Sequence, residues 1–351
     1  MTYKVVQWAT GIHGRLALRG ILDHPDMELV GVKVYSDDKH GMDAGQLCGR
    51  PDTGVKATNK IEEILALEAD CVVYMPLLAN LKEVIPLLES GKSVITSCGW
   101  VYPKNRDTSQ LEAACQKGQS VLHGTGIHPG GLTEKLPLLA SAFVTNVRYV
   151  RGEEFSDLRT YDAQEVVTNI MMFGQTQEQL AGSIMKDVLA DGFTQSIDMV
   201  ADQIGVTLDS DFVTKHRWSL ATANIETPFG VLEKGTVAAQ SFSWQGTVKG
   251  TPVIEAAVNW YMGNSHLEDG WDLGKERFEM EVIGDNRIQL VTEGLHADSP
   301  EHGADGEESA LVATAMHCVN AVPYVCKASP GIRTYNDMPM ITGRADQSLM
   351  R

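Results

Sequence analysis

A short segment near the amino terminus constrains the fold more than any other part of this sequence. Lys4 to Trp8 has the β-branched, apolar character of a buried strand, and the loop from Ala9 to Arg15 leads into an apolar helical stretch. The loop follows the pattern GxGxxG, with alanine in place of the first glycine. The second and third glycines would allow a pyrophosphate to approach and the helix to pack on the strand. The pattern predicts a dinucleotide-binding βαβ unit rather than a simple tight turn, with contacts from Gly11, Ile12, His13, Gly14 and Arg15.

The rest of the first 127 residues alternates short apolar strands with helical stretches, as parallel sheets wrapped by helices do. The helices are expected to begin near Gly14, Ile61, Leu81 and Ser109. Right-handed crossovers between adjacent parallel strands predict an α/β fold that begins with a Rossmann domain, a doubly wound parallel sheet. The predicted strands are Lys4 to Trp8, Leu29 to Tyr35, Cys71 to Met75, Ser93 to Ser97 and Ser120 to His123.

After Pro129 the pattern changes to a long helical region and long strands, which predicts an α+β C-terminal domain with a mainly antiparallel sheet. A hairpin is expected at Val248-Lys249-Gly250-Thr251. Glu308 to Cys326 indicates an apolar helix, which we expect to return to the first domain. The predicted domains are 1–130 for the dinucleotide, 131–307 for substrate and dimerisation, and 308–351 as the returning helix and tail. The predicted strands of the second domain are Asn146 to Phe155, Phe212 to Ile225, Glu233 to Val248, Thr251 to Tyr261 and Arg277 to Val291.

The residue after the second strand selects the dinucleotide, because an acid there binds the ribose 2′-hydroxyl of NAD, whereas basic and hydroxyl residues suit the 2′-phosphate of NADP. Ser36 occupies this position and Lys39 follows closely, which favours NADP. Asp37 or Asp38 can still serve NAD if the loop turns differently. Ligands lie beyond the carboxyl ends of the strands in open α/β sheets. The later strand ends add the cofactor candidates Pro76, Leu77, Thr96 and Cys98.

Composition excludes several classes of partner. A formal net charge of −17 argues against general binding of nucleic acid or anionic membranes. No run of roughly 18 apolar residues is present, so no membrane-spanning helix is expected. Six cysteines without CxxC pairs argue against a zinc site or a disulfide framework and favour a soluble, cytoplasmic protein. His296 and His302 lie among acids at irregular spacing, and we expect no metal site.

Four segments together resemble a known family: Ala9 to Arg15, Gly124 to Gly130, Ala313 to Pro323 and Pro330 to Tyr335. The sequence is similar to dihydrodipicolinate-reductase-like NAD(P)-dependent oxidoreductases, which include native amine dehydrogenases and 2,4-diaminopentanoate dehydrogenase. The resemblance implies a homodimer formed through the second domain. It also implies reversible hydride transfer between NAD(P)H and an imine carbon formed from an aldehyde or ketone with ammonia. By the same resemblance, Asn320 matches an asparagine that holds the nicotinamide carboxamide.

Three residues are candidates for the chemistry, which needs a proton donor or acceptor near the nicotinamide. Glu154 follows a second-domain strand, in the register where the similar dihydrodipicolinate reductases carry acid-base histidines, and it can anchor an ammonium group or be a solvated strand end. His128, which stands where many family members have asparagine, can donate a proton or bond a loop carbonyl. Tyr161 is a further candidate. No acid lies between Gly99 and Lys104 to supply the amine-binding carboxylate that amine-forming members need.

Two further functions stay open alongside an amine dehydrogenase or imine reductase acting on a small amine or carbonyl compound. One is a carbonyl or cyclic-imine reductase that uses His128 as its acid. The other is a protein that senses NADP without turnover, because a fold does not guarantee chemistry.

Overall fold

The computed structural model describes residues 2–160, 164–183, 185–227, 230–292, 309–345 and 349. The chain forms two compact units. Unit 1 consists of Met1–Ile127 and Leu311–Arg351, and unit 2 consists of His128–Ala310. From the sequence, the corresponding boundaries are predicted at residues 130 and 307. Within the described residues, no helix is both long and apolar enough to cross a membrane.

The amino-terminal part of unit 1 alternates strands and helices as the sequence predicts, with strand ends that differ by a few residues. Val34 to Ser36 already lies outside the second strand, so its loop begins earlier than expected. The two-residue third strand and the five-residue second helix are too short to show a periodic pattern. The strands are β1 (Tyr3–Trp8), β2 (Met27–Lys33), β3 (Ala57–Thr58), β4 (Cys71–Tyr74), β5 (Ser93–Thr96) and β6 (Val121–Gly124), and the helices are α1 (Ile12–Asp23), α2 (Ala44–Cys48), α3 (Ile61–Leu65), α4 (Leu81–Glu89) and α5 (Ser109–Gly118).

Unit 2 is built on a six-stranded sheet. Its elements are α6 (Leu136–Ser141), β7 (Tyr149–Asp157), α7 (Gln177–Ala181), α8 (Met185–Ile204), β8 (Val213–Leu220), β9 (Ile225–Thr227), β10 (Gly230–Leu232), β11 (Val237–Val248), β12 (Thr251–Tyr261), β13 (Arg277–Ile283) and β14 (Arg287–Thr292). The sheet order is β14-β13-β7-β12-β11-β8, and only the β7–β12 pair is parallel. This confirms the mainly antiparallel sheet.

The turns of this sheet follow the sequence in one place and depart from it in another. Lys249 and Gly250 both have positive φ, as a tight hairpin turn requires, and they join β11 to β12 where the hairpin is predicted. The single strand predicted over Arg277 to Val291 is wrong. A turn in which the Gly284 amide donates to the Asn286 carbonyl at 2.8 Å splits it into β13 and β14.

The carboxyl-terminal segment completes unit 1 with α9 (Ser309–Val325) and β15 (Gly331–Ile332). β15 pairs in parallel with β6 and gives the sheet the order β15-β6-β5-β4-β1-β2-β3, all of it parallel. Gly20 of α1 lacks a β-carbon that would otherwise meet Met316 and Val319 of α9. The carboxyl-terminal segment therefore adds a strand to the sheet and packs against the helix that follows the dinucleotide loop.

Alternation along the strands of unit 2 gives one face of the sheet a large apolar cluster and the other face a patch of charged residues. Phe193 and Ile197 of α8 share one buried cluster with Trp244 and Trp260 of the sheet. Phe193 stacks on Trp244 with 4.9 Å between the ring centroids. The opposite face carries charged residues such as Arg151, which pairs with Glu153 and Glu279. By alternation Glu154 lies on the apolar, helix-covered face, where burial shapes its chemistry.

Candidate active site

The predicted dinucleotide loop forms a helix N-terminus that is open to an anion. Helix α1 begins at Ile12 with Gly11 as its N-cap, and no side chain caps it. The first helical bond runs from the Arg15 amide to the Gly11 carbonyl at 2.8 Å, so the earlier amides, including that of His13, have no helical partner. The first turn contains no acidic residue. This terminus therefore presents positive partial charge to a ligand.

The positions of this loop at which glycine is present or expected differ in whether the fold requires glycine there. A β-carbon on Gly14 would collide with the Ala9 carbonyl oxygen, so glycine is needed there for packing. Ala9 itself has φ +70°, in the left-handed region that favours glycine, which explains why glycine is usual at this position. Gly11 has φ −70°, and a β-carbon there would meet nothing within 4 Å. The fold does not require glycine at this position, and the open space fits an approaching pyrophosphate.

The loop after β2 places Lys39 against the glycine-rich loop. The Lys39 ammonium lies 3.3 Å from the Thr10 carbonyl oxygen and 3.5 Å from its hydroxyl. The Asp37 carboxylate accepts a hydrogen bond from Asn59 at 2.6 Å. A hydrogen bond from Ser36 lowers the pKa of Asp38. Both acids are thus engaged, whereas the cation adjoins the phosphate-binding loop.

The ends of β4 and β5 meet as expected from the order of the sheet. The Cys98 thiol donates to the Pro76 carbonyl at 3.0 Å, and the Cys98 amide donates to the Thr96 hydroxyl at 3.0 Å. Burial raises the pKa of the Cys98 thiol, which disfavours a reactive thiolate. The Leu77 side chain is 66% exposed beside them. The structure brings Pro76, Thr96 and Cys98 together at the carboxyl ends of β4 and β5.

Asn320 lies beside the carboxyl-terminal tail. A β-carbon added at Gly343 would come within 3.7 Å of its amide nitrogen, so Asn320 faces the carboxyl-terminal tail. One helical turn earlier, His317 reaches the end of β6, where its Nδ1 lies 2.9 Å from the Thr125 hydroxyl. Thr125, His317 and Tyr335 are not among the site residues predicted from the sequence. The one sequence feature that could have indicated this group is His317. It lies three residues before Asn320, and residues i and i+3 share a helix face.

His128 belongs to unit 2, and both of its ring nitrogens are engaged there. Nε2 lies 3.0 Å from the Ala257 carbonyl and Nδ1 lies 2.8 Å from the Thr133 hydroxyl. A carbonyl only accepts, so Nε2 carries the proton and Nδ1 accepts from Thr133. Burial lowers the pKa of His128 to about 4, which keeps the ring neutral. This geometry favours the structural alternative for His128 over the role of a proton donor.

Glu154 has the arrangement of a positioned carboxylate. Its Oε1 accepts hydrogen bonds from the Ser156 hydroxyl at 2.7 Å and the Trp260 indole at 3.0 Å. Among the described residues, nothing donates to Oε2. Burial raises the pKa of Glu154 above its usual range. One oxygen is thus held in place, and the other can receive a cation or a proton.

A second buried carboxyl, Glu134, lies next to the segment that enters unit 2. Its Oε2 accepts from the Gly130 amide at 2.7 Å, while its own amide donates to the Gly130 carbonyl at 3.1 Å. Its side chain is 0% exposed, and in the described part of the chain its Oε1 has no hydrogen-bond partner, although the Ser196 hydroxyl lies beside it. Burial raises the pKa of Glu134 to about 8.

Two further expectations from the sequence concern Tyr161 and the absence of a metal site. Tyr161 lies outside the described residues. Within the described part of the chain, no group of three or more histidine, cysteine, aspartate and glutamate side chains is arranged to hold a metal ion.

Comparisons with known proteins place this architecture among dehydrogenases. Residues 133–350 match the family described as the 2,4-diaminopentanoate dehydrogenase C-terminal domain. An amine dehydrogenase from Streptomyces virginiae is 31% identical over 360 residues, covering 96% of this chain and 96% of that protein. A 2,4-diaminopentanoate dehydrogenase from Acetoanaerobium sticklandii is 26% identical over 230 residues, covering 65% of this chain and 59% of that protein.

A solved structure shares the fold over nearly the whole chain. The amine dehydrogenase from Mycobacterium smegmatis superposes with a TM-score of 0.79 at 19% identity, covering 98% of both chains. The fold predicted from sequence is therefore confirmed.

We expect Gly11→Ser to separate ligand binding from folding. Serine is a favourable N-cap, so the melting temperature should stay close to that of the parent, while the new side chain fills the space left for a pyrophosphate. Titration with NADPH and NADH, followed by nicotinamide fluorescence, should show greatly weakened binding. In the matched variant Gly14→Ala the melting temperature should fall instead, because its β-carbon meets the Ala9 carbonyl. Parent-like affinity in Gly11→Ser would contradict the assignment of this loop.

We expect Glu134 to make stability fall as pH rises. A free glutamate titrates near 4.5 and the folded one near 8, so between these values the folded state holds a proton that the unfolded state releases. Raising the pH through this window therefore favours unfolding, by roughly 3–5 kcal/mol in total. In Glu134→Gln, denaturant titrations from pH 5 to 9 should show a much flatter decline. The exposed control Glu178→Gln should follow the parent, and parallel curves for all three proteins would refute this role of Glu134.

Proposed function

This chain belongs to the 2,4-diaminopentanoate dehydrogenase family of NAD(P)-dependent oxidoreductases, and we propose that it transfers hydride between a nicotinamide dinucleotide and the carbon of an amine or imine. The observation that supports dinucleotide binding is the uncapped N-terminus of α1 at Gly11, with open space beside it. The carbon–nitrogen substrate class is supported by the names of two relatives, an amine dehydrogenase and a 2,4-diaminopentanoate dehydrogenase.

Glu154 is the residue we propose for the substrate nitrogen. The bound nicotinamide supplies or accepts the hydride, so the protein must hold the substrate and manage one proton. Ser156 and Trp260 fix one carboxyl oxygen of Glu154 and leave the other without a donor among the described residues. That oxygen can bind the ammonium group of an amine and accept its proton before the amine is oxidised. In the reverse direction the iminium carbon receives the hydride first, and the protonated acid then returns this proton to the nitrogen of the amine that forms.

A raised pKa suits this exchange. Burial disfavours the carboxylate of Glu154, which makes it a stronger base for an amine proton than an ordinary glutamate. Glu154 would thus supply the carboxylate that the Gly99 to Lys104 loop lacks. His128 is a weaker candidate for proton exchange with the substrate, because its only ring proton is donated to the Ala257 carbonyl.

For the coenzyme we propose NADP, with NAD as the alternative. The ammonium of Lys39 adjoins the glycine-rich loop at Thr10, where a 2′-phosphate would gain from a cation. Asp37 and Asp38 are already engaged by other partners, because Asn59 donates to Asp37 and Ser36 donates to Asp38.

We also propose a cytoplasmic homodimer that meets through unit 2. All six cysteines are described and free, in keeping with a reducing compartment. The charged sheet face around Arg151, Glu153 and Glu279 offers both signs of charge to a second copy of itself. Light scattering on the purified protein would report its mass.

We expect Glu154→Gln to impair turnover but not coenzyme binding. Aldehydes and ketones, each tested with and without ammonium, should drive ammonium-dependent loss of NADPH absorbance in the parent. In the variant kcat should fall by about a hundredfold or more, as loss of a general acid–base group does, while the Kd for NADPH changes little. Glu153→Gln is the matched control, because that neighbour lies on the opposite face of β7, paired with Arg151.

The assay also separates the competing functions. Turnover that ammonium does not affect would indicate a carbonyl reductase. Saturable binding without turnover across the whole panel would indicate a sensing protein. Equal activity in Glu154→Gln and the parent would remove Glu154 from the mechanism and leave the reaction class intact.

We expect Lys39→Ala to weaken NADPH more than NADH. Loss of a charge-assisted contact to the 2′-phosphate should raise the Kd for NADPH by about tenfold or more, and the Kd for NADH by less than twofold. Lys60→Ala removes the same charge from a nearby exposed position paired with Glu63, and it should change neither value. Equal effects on both coenzymes would assign Lys39 to the shared part of the dinucleotide.

A further inference from the structure

Three polar side chains from distant parts of the chain converge at the end of β6. Thr125 follows that strand directly and is 1% exposed. His317 comes from α9 and Tyr335 from a short 3₁₀ helix in the tail. The Thr125 hydroxyl lies 2.9 Å from His317 Nδ1 and also hydrogen-bonds the Tyr335 hydroxyl, which lies 3.4 Å from each nitrogen of the His317 ring. We call these residues the β6 cluster.

The surrounding backbone fixes the position of each member. The Thr125 amide donates to the Thr96 carbonyl at 2.8 Å, which ties the cluster to the end of β5. Thr334 and Asp337 cap the 3₁₀ helix reciprocally and so orient Tyr335. Two residues before Thr125, His123 Nδ1 lies 2.6 Å from the Arg333 carbonyl, and β15 pairs with β6. The tail is therefore already fastened to β6 without the cluster.

The location of the cluster points to a ligand. Thr125 adjoins Thr96, and Thr96 accepts from the amide of Cys98, whose thiol reaches Pro76. The cluster thus extends the row of strand ends where open α/β sheets bind ligands. It is also the polar part of that row, because Leu77 is apolar and the Cys98 thiol is already donating. Two hydroxyls and an imidazole offer both donors and acceptors.

We propose that the β6 cluster binds the carboxamide at the nicotinamide end of the dinucleotide. A carboxamide also has both a donor and an acceptor, and it matches this set of groups. The role that the resemblance implied for Asn320 then passes to His317, one turn earlier on α9, because Asn320 faces Gly343 in the tail. This inference rests on the proposed function.

The experiment compares ligands that differ only by the nicotinamide. Calorimetric titrations measure Kd for NADPH and for 2′-phospho-ADP-ribose, which lacks the ring, and for NADH and ADP-ribose. Thr125→Val and Tyr335→Phe each remove one hydroxyl with little change of shape, and His317→Gln removes the ring. Tyr324→Phe is the matched control, since it removes a hydroxyl bonded to Thr342 in the same tail. Asn320→Ala tests the displaced assignment.

In the variants of the β6 cluster we expect the Kd for NADPH and NADH to rise about three- to tenfold, because one or two hydrogen bonds to the dinucleotide are lost. The two ring-free ligands should bind as they do to the parent. Tyr324→Phe and Asn320→Ala should match the parent with all four ligands. Circular dichroism and thermal melting of each variant would verify that it is folded.

Other outcomes overturn the inference in recognisable ways. An equal loss for ligands with and without the ring would mean that the cluster only braces the sheet. Unchanged affinities in the cluster variants would mean that it does not touch the dinucleotide, and selective loss in Asn320→Ala would restore that residue. If the parent bound none of the four ligands, the proposed function would fail together with this inference.

Discussion

The close approach of Gly14 to the Ala9 carbonyl is the contact on which the rest of unit 1 depends. It lets α1 start directly at the end of β1, because no side chain separates the helix from the strand. The fully buried amide of Gln7 stabilises the turn by donating to the Ala9 carbonyl at 2.9 Å and to that of Trp8 at 3.1 Å. Because this turn is tight, the unpaired amides at the start of α1 lie close to the end of β1. The neighbouring strands of the parallel sheet end beside this point.

In unit 2 the dominant constraint is burial rather than geometry. The helix-covered face of the sheet is apolar, and it holds ionisable groups whose charged forms are disfavoured there. Burial lowers the pKa of His128 and raises those of Glu134 and Glu154. The three side chains differ in whether a polar atom remains available for a further hydrogen bond. His128 is bonded at both nitrogens, whereas each carboxyl keeps an oxygen that no described residue donates to. Proton exchange in this environment therefore belongs to a carboxyl.

The sequence predicted those features that a local pattern encodes. β-branched runs located the strands, and the glycine spacing located the start of α1, because both depend on neighbouring residues only. The turn at Gly284 was missed since Arg277 to Val291 alternates through it. The choice between Asn320 and His317 was out of reach for a different reason. Both lie on one face of α9, and only the position of the helix along the sheet decides which reaches β6.

The two halves of the proposed activity rest on different physical grounds and on different units. Dinucleotide binding needs open backbone amides and a space without side chains, which a change of one glycine can remove without disturbing burial. Proton exchange needs a carboxyl kept in an apolar layer by Ser156 and Trp260, which no feature of the glycine loop supplies. Loss of either half leaves the other intact. With the role proposed for Glu154, a coenzyme-binding protein without turnover would differ from this enzyme in unit 2, and Glu154 is where we would look for that difference.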